Sequence, residues 1–162
     1  MRTLTPEPLT RDAFAPFGDV IAPDDSKHVR INEARVDRWV DLAEVDCGER
    51  VKIDIMRCAE PSTLPFDIRL LERHPHGSQA FVPLTGEPFT IVVGPAGEFP
   101  DPVTLRAFDC DGTQGINMRP GTWHLPLIGF RKGQAFLVID RDDPGNCDEV
   151  MLQEPVLLEA RA

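Results

Sequence analysis

Proline and glycine punctuate this chain so densely that only short elements fit between them. Sixteen prolines and twelve glycines fall among its 162 residues. Proline removes a backbone donor and glycine favours turns, so long helices have little room. Turn signals stand at Thr85-Gly86-Glu87-Pro88, Gly94-Pro95-Ala96-Gly97, Asp111-Gly112, Arg119-Pro120-Gly121 and Arg131-Lys132-Gly133, and residues 61–65 read as a loop. The intervening segments alternate like strands. Residues 50–58 place Val51, Ile53, Ile55 and Arg57 on one face, with Lys52, Asp54, Met56 and Cys58 on the other. Residues 67–74 place Ile68, Leu70, Glu72 and His74 together. Further strands are expected at residues 80–84, 88–93, 103–108, 115–118, 123–128 and 134–140. Short strands with turns about every 8–12 residues predict an all-β sandwich or barrel. A single short helix is expected over residues 10–18, capped by Thr10 and closed by Gly18, with Phe14 and Phe17 on one face. The acidic, weakly patterned tail, residues 142–162, is expected to pack outside as a strand or short helix.

Length and charge narrow the function classes. The chain, residues 1–162, is of a size for one domain. No apolar run approaches the roughly 20 residues that span a bilayer. The stretch MRTLTPEPLTRDAFAPFGDV lacks the apolar core of a signal peptide, so a cytoplasmic protein is expected. A net charge of −10 argues against nucleic acid or an anionic membrane as partner. A small anionic substrate would need local arginines against that field. Cys47, Cys58, Cys110 and Cys147 show no CxxC spacing and read as reduced thiols, with Cys58 as buried filler. Nothing beyond its presence marks Cys147 as a nucleophile.

Two of the four histidines flank one proline in ERHPHGSQAF, residues 72–81. His74-Pro75-His76 invites reading as a chelate, but strand parity favours Glu72 with His74. A buried Glu–His pair is costly unless paired or bound to something. Gln79 has the wrong parity for a plain strand, and an extra residue in a bulge at Gly77 would return it to the same face. His76 is then the bulged residue and turns away. Glu72-x-His74-x4-Gln79-x6-Gly86 resembles the first cupin motif, with Glu72 and Gln79 at positions usually held by His and Glu. Gly115-Ile-Asn-Met-Arg-Pro-Gly121-Thr-Trp-His124 has the spacing of the second, with Arg119 in place of Pro. Glu72, His74, Gln79 and His124 are therefore expected to converge inside a double-stranded β-helix, a jelly-roll barrel. Two imidazoles, a carboxylate and an amide oxygen suit Ni, Mn, Fe or Zn. The alternative is a metal-free site that binds substrate by hydrogen bonds alone.

The blocks ERHPHGSQAFVPL, FTIVV, LRAF, GINMRPGTWHLPL and FLVIDR resemble the ureidoglycolate lyase family, nearly full length from RDAFAPFGDVI to NCDEV. The resemblance implies a cupin fold, a homodimer, in some members a divalent metal, and cleavage of (S)-ureidoglycolate to glyoxylate and urea in allantoin breakdown. The alternative activity is binding or conversion of another small 2-hydroxy or 2-oxo acid. Elimination needs the hydroxyl proton removed and the urea nitrogen protonated. Glu72 or His124 is the expected base, and His74 or His124 the expected acid. Arg57 and Arg73, with Arg106 behind them, are candidates for the substrate carboxylate. Arg57 is favoured because its strand face is otherwise apolar. Gln79, Asn117 and Trp123 are further candidate substrate contacts. His76, Met118 and Leu125 stand where the family usually has Leu, Tyr and His.

Overall fold

A computed structural model of the chain describes residues 2–161; Met1 and Ala162, the outermost positions of the expected domain and tail, lie outside them. The strands are β1 (Arg2–Leu4), β2 (Glu7–Pro8), β3 (Gly18–Ile21), β4 (His28–Ile31), β5 (Val36–Trp39), β6 (Val51–Arg57) and β7 (Phe66–Arg73) in the first half. The second half supplies β8 (Gln79–Pro83), β9 (Phe89–Gly94), β10 (Arg106–Cys110), β11 (Gly115–Met118), β12 (Trp123–His124), β13 (Ala135–Arg141) and β14 (Asp148–Leu158). One sheet runs β1-β14-β7-β12-β9-β10-β2 and the other β3-β11-β8-β13-β6, while β4 and β5 form a separate hairpin. This is the expected all-β, cupin-type architecture, with one short helix, α1 (Arg11–Phe14).

The barrel interior is lined by alternate residues of both sheets. Phe81, Ile116, Met118, Phe136 and Val138 come from the smaller sheet, and Phe89, Ile91, Val93 and Phe108 from the larger. Phe14 joins them edge-on to Phe108 at 5.4 Å, and Phe89 meets Phe136 at 5.0 Å. Each such side chain contributes about 1.5–3 kcal/mol of burial. A second cluster, including Ile68, Leu71, Val92, Leu105, Trp123 and Val156, covers the opposite face of the larger sheet. The two faces of β9 show the division: Ile91 and Val93 point in, Val92 out.

Several expectations need correction. The helix is shorter than residues 10–18. Thr10 does cap it, its side chain accepting from Ala13 N at 3.2 Å. Pro16 is incompatible with its continuation, and Gly18 already opens β3, where a Cβ would lie 1.9 Å from Asn117 O. The strand expected over residues 123–128 is reduced to Trp123–His124, since Pro126 cannot donate to a ladder. The tail is an 11-residue strand paired with β7, irregular between Met151 and Val156. Ile68 and Leu71 both join the outer cluster, so β7 does not keep one strict face from Ile68 to His74. Strands β1 to β5 were not anticipated; they are short and mostly polar.

Candidate active site

The turn after β7 decides the site. Residues 74–78 are not a bulge within one strand. They carry the chain from β7 in the larger sheet to β8 in the smaller one. Glu72 and Gln79 thus face each other's walls across the barrel, and Gln79 shares the inward parity of Phe81. The turn is tight: a Cβ on Gly77 would lie 2.8 Å from the Arg141 Cβ and 3.1 Å from Asp46 O. His76 points outward, its side chain 57% exposed and 3.6 Å from Asp143.

Strand β12 brings His124 directly opposite Glu72 in the ladder, with Val93 on its other side. His124 Nε2 lies 3.1 Å from Glu72 Oε1. The His74 and His124 rings stack loosely, 5.5 Å between centroids. Both rings are fixed from behind by the backbone. His74 Nδ1 donates to Asn146 O at 2.6 Å and His124 Nδ1 to Thr122 O at 3.2 Å. A carbonyl oxygen only accepts, so each Nδ1 carries a proton and each Nε2 is the ring nitrogen left free of the backbone. His74 Nε2 is buried with no protein partner. The Glu72–His124 contact is favourable only with a proton or a cation between the two atoms.

Electrostatics agree with an ionised Glu72. Burial pushes its carboxyl up, but the hydrogen bond from His124 and the charges of His124 and His74 outweigh that and hold it below its ordinary value. Cys147, whose Sγ lies 4.0 Å from Glu72 Oε2, is pushed up by burial and then by Glu72 and Glu149. Its thiol stays protonated, which removes it as a ready nucleophile. The four cysteines are free.

The donor set fits a divalent metal. Ligand atoms of Glu72, His74 and His124 all lie within 4.8 Å of one another. Gln79 adds a fourth candidate. Its Nε2 donates to Asp140 Oδ2 at 3.1 Å, and a carboxylate can only accept, so the amide orientation is fixed. Gln79 Oε1 is then left buried with no partner. The buried Asp140, whose other oxygen accepts from Arg141 N, was missed by the sequence reading, as was Asn146. Asp140 follows Phe136 and Val138 on the inward face of β13, a parity the sequence does carry. Asn146 acts on His74 through its backbone carbonyl, which no residue type announces.

The other expected contacts lie elsewhere. Arg57 is exposed at the far end of β6 from Val51, opposite Ala135, on a face that points outward rather than into the barrel. Asn117 also faces outward; its amide donates to Glu44 O at 2.8 Å and Asp19 Oδ2 at 3.2 Å, pinning a covering segment. Trp123 belongs to the outer cluster, donates to Gly97 O at 3.0 Å, and lies under the Arg73 guanidinium at 4.9 Å. Arg73 is further held by Asp148 at 2.8 Å and by Gly97 O. Arg106 is tied to Glu7 at 2.7 Å and to Ala13 O. None of these three arginines supplies a cation inside the barrel.

Comparison with known proteins identifies the family. Residues 1–159 match the family described as ureidoglycolate lyase. A protein named ureidoglycolate lyase from Pseudomonas syringae pv. tomato (strain ATCC BAA-871 / DC3000) is 51% identical over 158 residues, which is 95% of this chain and 92% of that one. One of the same name from Pseudomonas putida (strain W619) is 48% identical over 162 residues, 98% and 96% of the two chains. Another, from Stutzerimonas stutzeri (strain A1501), is 48% identical, covering 95% and 92%. The chain belongs to the ureidoglycolate lyase family.

Proposed function

We propose that this protein is a ureidoglycolate lyase, cleaving (S)-ureidoglycolate to glyoxylate and urea. The observation that carries the site assignment is the convergence of Glu72, His74 and His124 on one buried point, with both imidazoles oriented by backbone carbonyls. The substrate carbon bears a hydroxyl, a ureido nitrogen, a carboxylate and a hydrogen. Breaking the C–N bond sends its electron pair to nitrogen, and the hydroxyl oxygen closes a carbonyl. The net change on the atoms is transfer of one proton from oxygen to nitrogen, with no water consumed.

We assign that transfer to Glu72. Its Oε1 faces His124, while Oε2 is left toward the rim near Cys147. Oε2 takes the hydroxyl proton and returns it to the departing nitrogen. Donor and acceptor sit on the same carbon, so one carboxylate oxygen can serve both. A low carboxyl pKa suits the second half, because the proton is released readily. His124 fixes Oε1, and His74 presents its Nε2 to the substrate or to a metal.

A divalent ion such as Ni, Mn, Fe or Zn would be held by Glu72, His74 and His124, with Gln79 Oε1 as a further donor. It would supply Lewis acidity toward the substrate's hydroxyl and carboxylate oxygens. That charge would also stand in for Arg57, Arg73 and Arg106, which lie outside the barrel interior. The same reading takes the protein as a cytoplasmic homodimer acting on a small anion. Its free thiols suit a reducing compartment. The test is direct: purified protein with racemic ureidoglycolate gives glyoxylate and urea in equal amounts. Ammonia released without urea overturns the reading. No turnover, with thermal stabilisation by glyoxylate, returns the protein to the alternative of a binding cupin.

A further inference from the structure

We infer that the free edge of β6 is where two copies of this chain pair, antiparallel and centred on Ile53; this rests on the homodimer reading above. The seven-residue β6 ends the smaller sheet, and its outer edge has no strand partner among the described residues. The other sheet edges are short: β1 has three residues, β2 two and β3 four. Exposed edges are normally blunted by proline, bulges, brevity or charged side chains. β6 has none of the first three, since seven consecutive positions pair with β13 without a register shift, and its charges Lys52 and Asp54 are of opposite sign. It also exposes a stripe of large aliphatics, Val51 at 56%, Ile53 at 64% and Ile55 at 57%. The stripe continues onto Leu137 and Ile139 of β13.

The occupant is chosen by self-complementarity. In antiparallel pairing about a two-fold axis at Ile53, residue 53 meets its own counterpart. Val51 then meets Ile55, Lys52 meets Asp54, and Glu49, just before the strand, meets Arg57 of the second copy. Directly opposed residues share a face. The aliphatic pairs and the Glu49–Arg57 pairs therefore lie on one side of the joined sheet, and the Lys52–Asp54 pairs on the other. Lys52 and Asp54 are 3.7 Å apart within one chain, so the two copies would close a ring of four alternating charges. The local charge permits the approach. Residues 49–57 hold three bases and two acids, in a chain whose net charge is −10. Shifting the centre to Asp54 would instead oppose two aspartates.

Sedimentation of the full chain, with its fold checked by circular dichroism, tests this. The wild type is expected at twice the 18.0 kDa chain mass at micromolar concentration. Ile53→Cys should form a disulfide-linked dimer under mild oxidation beyond any wild-type background. Ile55→Cys should not, because two copies of position 55 are several residues apart in this register. Asp54→Lys places lysine opposite lysine twice and should weaken dimerisation at least about tenfold, and adding Lys52→Asp should restore it. A wild-type monomer overturns both the dimer reading and this interface. A dimer that Ile53→Cys does not link and Asp54→Lys does not weaken overturns the interface alone. The exposed patch around Phe99, Val103 and Met151 would then be the surface to change next.

Discussion

Replacing Glu72 by glutamine separates proton transfer from shape. The amide keeps the volume and leaves β7 paired with β12 and β14. It removes the negative charge that His124 faces at 3.1 Å. Hydrogen bonds to a charged group contribute about 1.5–3 kcal/mol, and the amide recovers part of that, so a stability loss of about 1–2 kcal/mol is expected. The catalytic loss should be larger. General acid–base catalysis contributes about 10²–10⁴-fold, equivalent to about 3–5 kcal/mol of barrier. Initial rates of glyoxylate release at saturating substrate, with urea denaturation run alongside, measure the two effects separately. A folded Glu72→Gln protein with kcat within about fivefold of wild type would refute the assignment of Glu72 as proton carrier.

Acid should expose the same residue. The Glu72 carboxyl sits below its ordinary value, so the stability from its contacts is fully present above the ordinary carboxylate range and is lost as pH falls through the lower folded value. The denaturation difference between wild type and Glu72→Gln should shrink toward pH 3; a constant difference contradicts the shift. Asp140→Asn lets the Gln79 amide turn over, and metal affinity should fall by roughly 10–100-fold, read by competition with a chelating dye. Unchanged affinity means that Gln79 Oε1 is not a ligand. His76→Leu removes only an exposed contact to Asp143 and should change stability by less than about 1 kcal/mol, with turnover and metal content retained. Gly18→Ala drives a Cβ against Asn117 O and should lower stability by more than about 3 kcal/mol in thermal unfolding; an unchanged midpoint would disprove the close approach.

Strand existence was legible because turns announce themselves through Gly and Pro, and the alternation in β6 and β13 survives into the structure, while that of β7 breaks between Ile68 and Leu71. Alternation separates two faces but does not say which one meets the core. That is why Arg57 misled: Val51, Ile53 and Ile55 read as an inward stripe and turned out to face solvent at a sheet edge. Parity alone, applied consistently, places Asn117 and Trp123 opposite the inward Met118 and His124. The proximity of Glu72, His74 and His124 was legible from spacing, although the expected bulge is a crossing between sheets. The Asn146 and Thr122 carbonyls that set the imidazole tautomers were not recoverable, since a backbone atom leaves no mark in composition. Strands β1 to β5 leave little trace in the sequence because short polar strands carry little periodic signal.

The most direct test of the account compares wild type with His124→Ala in one preparation. Bound metal is read by elemental analysis, and glyoxylate and urea are followed together from ureidoglycolate. The wild type is expected to hold a divalent metal and to release equimolar products, and the variant to lose both. Full production of glyoxylate and urea by folded His124→Ala would contradict the central claim that Glu72, His74 and His124 form the active site.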